Sequence, residues 1–316
     1  MKVLVTGGAG FIGSHVVDVL IEAGHEVVVV DNLSTGRAVN LNPDVRFYRA
    51  NICDPQLGEI FAAERFAAVM HLAAKASVPE SLRQPLLYAD VNLRGSLHLL
   101  DLSRRHRVGK FVYSSTCAAY GEPKVLPVDE THPIHPLSVY GATKVQVETY
   151  LALYGEHWGL RYTALRYANV YGPRQDPFGE AGVVAVFANQ MARGEACVIN
   201  GTGEQERDFV YVGDVAEANR LALERGDGEV FNIGSGRGTS VNQLFDHLRE
   251  AIGYARLPHY APPRAGEIQK IYLDTRKARE QLGWRAQTTL GDGLTLTVSS
   301  LVTNPSAKGG RGGEDV

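Results

Sequence analysis

The tightest constraint on this chain lies in its first residues. Residues 3–5 are apolar and β-prone, the turn Thr6-Gly7-Gly8-Ala9-Gly10-Phe11-Ile12-Gly13 follows at once, and residues 12–23 carry apolar side chains at helical spacing. A strand that runs through glycines into a helix sets the free N–H groups of the helix start beside backbone bare of side chains. That arrangement suits a pyrophosphate. The next strand-like run, 27–30, ends at Asp31, where a carboxylate accepts from both ribose hydroxyls of an adenosine and repels a 2′-phosphate. By themselves, Gly7, Gly10 and Gly13 would also serve a tight turn with close helix packing. Strand, turn, helix, strand and Asp31 in that order point to a dinucleotide, and to NAD over NADP.

The alternation persists. Residues 45–48, 68–71, 111–113 and 162–165 read as further strands, with helical spacing at 55–64, 86–106 and 139–157 between them. Repeated strand-helix-strand order predicts an α/β protein with a doubly wound parallel sheet of the Rossmann kind. Beyond residue 170 the rhythm loosens into a Gly- and Pro-rich loop at 172–182, a helix-like 183–192 and a strand-like 197–200. Strand-helix-strand order resumes at 209–233, a candidate to return to the sheet. The expected organisation is a dinucleotide-binding domain over 1–170, a smaller α+β C-terminal substrate domain over 171–303, and a Gly-rich, apolar-poor tail at 304–316 expected to be disordered.

Composition excludes several classes. A net charge of -3 with 21% charged residues provides no basic stripe for nucleic acid. No apolar run approaches the roughly 20 residues of a membrane span, and the start of the chain has no leader pattern. Cys53, Cys117 and Cys197 are odd in number, far apart and without metal-ligand spacing, which fits a reducing cytoplasm and no metal.

Tyr140 and Lys144 stand four apart at the start of a helix, so both project from one face. A free phenol titrates at about 10 and is a poor base at neutral pH, but a neighbouring ammonium and a cationic nicotinamide both favour the phenolate. Tyr and Lys at this spacing are common on solvated helix faces. What singles the pair out is Ser114-Ser115-Thr116 at the end of the fifth strand, on the sheet edge where doubly wound folds bind ligands.

The spacing Thr6-Gly7-x-x-Gly10-x-x-Gly13, joined to a Thr/Ser, Tyr, Lys set, resembles the short-chain dehydrogenase/reductase family. Asp31-Asn32-Leu33, Tyr171-Gly172-Pro173-Arg174 and Arg207-Asp208-Phe209-Val210-Tyr211-Val212 extend the likeness over residues 2–285, to the extended members acting on nucleotide sugars. Dehydratases of that group place an Asp-Glu pair after the hydroxyl residue. Here Cys117 and Ala118 stand there, and Ser115-Thr116-Cys117-Ala118-Ala119-Tyr120-Gly121 looks most like the UDP-hexose 4-epimerases.

The resemblance implies NAD as cofactor and a UDP-sugar as substrate. It makes Tyr140 the catalytic base, Thr116 the catalytic hydroxyl and Lys144 their electrostatic partner. It lays the cofactor along Gly7, Gly10, Phe11, Ile12, Gly13, Asp31 and Asn32, with Asn51 and Ile52 near the adenine. Leu72, Ala73, Ala74, Tyr140, Lys144 and Tyr167 complete that surface. For the substrate it implies Thr116 and Tyr140 at the sugar 4-hydroxyl, Asn169, Arg207 and Arg264 beside the diphosphate, Glu267 toward the ribose or uracil, and Ile271 flanking the sugar 2-position. Surface ion pairs for the two arginines, a core position for Ile271 and a satisfied strand-end histidine at His71 remain open. It further implies a homodimer through 86–106 and 139–157. Rival activities are 4-epimerisation of a uronate or N-acetylhexosamine, a decarboxylation, and non-catalytic NAD sensing.

Overall fold

In the computed structural model, residues 1–178, 182–264 and 266–303 are described; the tail expected at 304–316 lies outside them. Strands β1 (Lys2–Thr6), β2 (Glu26–Asp31), β3 (Arg46–Arg49), β4 (Ala68–His71), β5 (Lys110–Thr116) and β6 (Arg161–Tyr167) build the main sheet. After β7 (Asn169–Tyr171), β8 (Val198–Asn200) and β9 (Glu206–Tyr211), strand β10 (Glu229–Ile233) joins it as the seventh. The spatial order is β10-β6-β5-β4-β1-β2-β3, with every pairing parallel.

Side-chain parity explains the layers. Val3, Val5, Val27 and Val29 point to one face, into a core shared with Val16, Val17 and Leu20 of helix Phe11–Glu22 and with Val215 and Ala218 of helix Val212–Ala222. Leu4, Val28 and Val30 point to the other, against Phe61, Leu99, Leu100, Val147 and Leu151. Both faces of the sheet are covered, so its strands carry near-continuous apolar runs. The chain winds outward from β1 in both directions, which places the switch point, and the ligand crevice, at the carboxyl ends of β1 and β4.

A second sheet centres on β9. It pairs in parallel with β7 and with β13 (Lys270–Ile271), and antiparallel with β11 (Gly238–Ser240). Strand β12 (His259–Ala261) pairs separately with β8. A third core of Tyr171, Phe187, Phe209, Leu244, Phe245 and Leu294 lies here. The segment 209–233 is therefore split: Phe209–Tyr211 belong to the second sheet, and only Glu229–Ile233 to the main one. The helix expected at 86–106 is also interrupted. Pro85–Tyr88 runs into a π-helical turn, Ala89–Arg94, before Gly95–Arg105.

Candidate active site

At the end of β1, Gly7 takes φ +74°, and a Cβ built there would stand 2.7 Å from the Ala73 nitrogen. A Cβ on Gly13 would stand 2.0 Å from the Gly7 carbonyl oxygen. Turn and helix therefore press together as only glycines allow. No side chain caps the helix at Gly10 and no acid occupies its first turn, which leaves its N–H groups for an anion. Phe11 and Ile12 are half-buried on that turn. Asp31 is buried, its carboxylate accepting from Ala9 N–H at 3.1 Å and Leu33 N–H at 2.8 Å. Asn32 is exposed beside it. Leu72, Ala73 and Ala74 leave β4 opposite the turn, half-buried. These residues fit a dinucleotide.

The adenine-side expectations fare unequally. Asn51 is exposed, but its side-chain oxygen already takes the Cys53 N–H at 3.0 Å, leaving one lone pair. Ile52 turns inward to the core against Gly95, as an apolar side chain flanked by the helix surface does. Tyr167 is buried with its hydroxyl donating to Asn219 at 2.9 Å.

Thr116 ends β5, its Oγ1 accepting from Ala118 N–H at 3.2 Å. Helix Val139–Trp158 starts beside it, capped by Ser138, and Gly141 permits the approach: a Cβ there would lie 2.8 Å from the Ala118 carbonyl oxygen. Burial pushes the Tyr140 phenol up to about 12, while a hydrogen bond with Thr116 pulls the other way. Burial pushes Lys144 down to about 7, opposed by Glu148. The Lys144 Nζ donates to the Ser114 carbonyl at 2.7 Å and lies 4.9 Å from the Tyr113 ring centroid. Each group alone is disfavoured in its charged form. Opposite charges on the pair offset that cost mutually.

Sequence reasoning passed over the support behind this set. Glu148, one further turn along the same helix, accepts from Arg166 through two bonds of 3.0 and 2.5 Å and from the Ser115 hydroxyl. Arg166 also donates to the Tyr120 hydroxyl at 2.9 Å. The spacing Tyr140, Lys144, Glu148 was the available signal.

On the substrate side, Asn169 is exposed at the start of β7 and Arg264 is exposed in the loop after β12. Arg207, on β9, pairs with Glu267 at 3.4 Å and donates to the Glu206 carbonyl at 2.9 Å; burial lowers its pKa. Asp208 does not pair with it. That carboxylate is buried among the Ser235, Gly236 and Leu273 N–H groups. Ile271 is Arg207's cross-strand neighbour, but its side chain is only 4% exposed and packs in the main core. The core alternative holds for its packing.

The unfolded chain carries Lys144 protonated up to about 10.4, whereas burial lowers the folded value to about 7. Between those values the unfolded state binds more protons, so stability rises with pH across the window. Chemical denaturation of cofactor-free protein from pH 7 to 10 is expected to show this rise, and Lys144→Met to lack it. Parallel curves for the two proteins would contradict the assignment.

A glycine turn at the switch point of a doubly wound sheet, with hydroxyl, phenol and ammonium at an adjoining strand end, defines a dinucleotide-dependent enzyme of the short-chain dehydrogenase/reductase kind. The sequence profile of the NAD dependent epimerase/dehydratase family matches residues 3–234, and the chain belongs to that family. The structure is similar to the UDP-glucose 4-epimerase of Thermotoga maritima crystallised with UDP-glucose, with a TM-score of 0.94 and 55% identity over 96% of this chain and 99% of that one. It is likewise similar to the UDP-glucose 4-epimerase of Thermus thermophilus in complex with NAD, with a TM-score of 0.91 and 43% identity over 96% and 99% of the two chains. The UDP-glucose 4-epimerase of Mycolicibacterium smegmatis is 42% identical over 94% of this chain and 97% of its own.

Proposed function

We propose that this enzyme interconverts UDP-glucose and UDP-galactose with NAD as its cofactor. The observation that carries the reading is the meeting of Thr116, Tyr140 and Lys144 at the carboxyl edge of the sheet, with Cys117 and Ala118 where an elimination would need an acid and a base. Bound NAD supplies a hydride acceptor at sugar carbon 4 and, when oxidised, a positive charge near the phenol. Tyr140 Oη takes the 4-hydroxyl proton and later returns it, and Thr116 holds the same sugar oxygen. Lys144 favours the phenolate and holds the nicotinamide ribose. Arg207 and Arg264 grip the diphosphate with Asn169, while Glu267 exchanges its pairing with Arg207 for the ribose or uracil. Epimerisation needs the nucleotide held firmly and the hexose loosely, so that either face of carbon 4 can be presented.

Residues 1–170 with β10 serve as the cofactor domain and the rest of 171–303 as the substrate domain. Leu86 (83% exposed), Leu153 and Trp158 stand exposed on the two long helical segments and support a homodimer through them. Three free cysteines fit the cytoplasm. Among the described residues no helix is long and apolar enough to cross a membrane.

The purified protein, given UDP-galactose and no added cofactor, is expected to form UDP-glucose and to release NAD(H) rather than NADP(H) on denaturation. Absence of UDP-glucose, or release of mostly NADP(H), would refute the reading.

A further inference from the structure

His71 ends β4 and is 1% exposed, beyond the reach of substrate. Its ring nitrogens meet Thr6 Oγ1 and Ser96 Oγ, each at 2.8 Å. The hydrogens can be assigned, because each hydroxyl has one to give. Ser96 gives its hydrogen to the Asn92 carbonyl, so it accepts from His71, which therefore carries its proton on Nε2. Nδ1 is then bare and takes the Thr6 hydrogen, leaving Thr6 Oγ1 to accept the Ala73 N–H at 3.4 Å. At the far end, Thr143 gives its hydrogen to the Tyr140 carbonyl at 2.8 Å and accepts from Asn92 Nδ2 at 3.2 Å. Asn92, inside the π-helical turn, also exchanges two bonds with the backbone of Lys75, at 2.8 and 2.9 Å.

We propose that His71 is a positioning residue: as a neutral Nε2–H imidazole it closes a run of hydrogen bonds, all donating in one direction, from Ala73, through Thr6, His71 and Ser96 to the main chain of Asn92, and on from the Asn92 side chain through Thr143 to the carbonyl of Tyr140. The run joins the two halves of the site, the glycine turn with its facing segment and the helix that holds the phenol. Thr6, Ser96 and Asn92 are each at most 1% exposed and Thr143 5%, so water cannot substitute for a missing member. Burial and the nearby Lys144 charge hold His71 down to about 3 and keep the imidazole neutral. The π-helical turn has a role here as well. It holds the Asn92 amide, which stands between Lys75 and Thr143. The inference rests on the proposed reaction, in which Tyr140 exchanges the proton of a bound sugar.

His71→Leu cuts the run at its middle. Thr143→Val cuts it at its end at the cost of one hydroxyl, and serves if the first variant does not fold. Each is expected to lower kcat for UDP-galactose about tenfold with KM within twofold, and the double variant to be no worse than about the poorer single one, since both break one connection. His71→Gln, which keeps a donor toward Ser96, is expected to recover kcat to within about threefold. Amide exchange of residues 140–143 should quicken about tenfold in His71→Leu while that of residues 16–20 is unchanged. A folded variant with kcat within twofold of the original, multiplying losses, or unchanged exchange at 140–143 would overturn the proposal. Inactivity of the original enzyme would overturn the proposed reaction instead, and the exchange measurement would still decide the role of His71.

Discussion

Tyr140→Phe is expected to lower turnover of UDP-galactose by at least about a hundredfold, the scale of loss for a removed general base, while the protein keeps its NAD(H). The ring remains and only the hydroxyl goes, so packing at the start of helix Val139–Trp158 changes little. In the structure that hydroxyl sits where burial pushes it up to about 12. A carboxylate or imidazole would have been an easier base in isolation. The site instead holds a phenol that becomes basic only when positive charge is present beside it, which links proton transfer to an occupied cofactor site. A coupled assay of UDP-glucose formation, with cofactor content measured in parallel, tests both halves. Activity within threefold of the original would remove Tyr140 from its role.

Gly13→Ala is expected to abolish retention of NAD(H) through purification and, with it, turnover without added cofactor. The new methyl would stand 2.0 Å from the Gly7 carbonyl oxygen and 3.0 Å from the Gly8 Cα, both backbone atoms that cannot rotate aside. Relief requires lifting the helix from the turn, which misaligns the N–H groups meant for the pyrophosphate. Overpacking of this kind costs about 1–3 kcal/mol of stability. Gly24→Ala is the fitting control. With φ +79° and nothing within 4 Å of the built Cβ, it carries backbone strain of about 1–2 kcal/mol and no clash, so cofactor content should be unaltered. Stoichiometric NAD(H) in Gly13→Ala would contradict the geometry.

The parts of the site that were legible in the sequence are local. The glycine turn, Asp31 and the pair Tyr140 and Lys144 each follow from spacing within one or two elements, and the strand and helix periods around them are strong. The second sheet was not legible. Strands β7, β11 and β13 have three, three and two residues, too few to show a period, and all depend on distant pairing with β9. The π-helical turn at Ala89–Arg94 was hidden for another reason: its apolar spacing still reads as helix, and the wider backbone bonding that distinguishes it leaves no mark on that spacing. Asn51 and Ile52 show the limit of aligning residue types. Composition says what a side chain can do, but the turn around Asn51 and the core beside Ile52 decide what it is free to do.

The alternation of β1 between two separate cores has a consequence for how this protein can change over generations. Val3 and Val5 feed one core, Leu4 the other, and the glycine turn follows directly. Losing or gaining a single residue here would exchange the two sets of side chains and shift the turn against Asp31 and Ala73 at the same time. Point substitutions, such as Ile for Val, leave both cores filled. Descendants of this sequence should therefore diverge within β1 by replacement at fixed length.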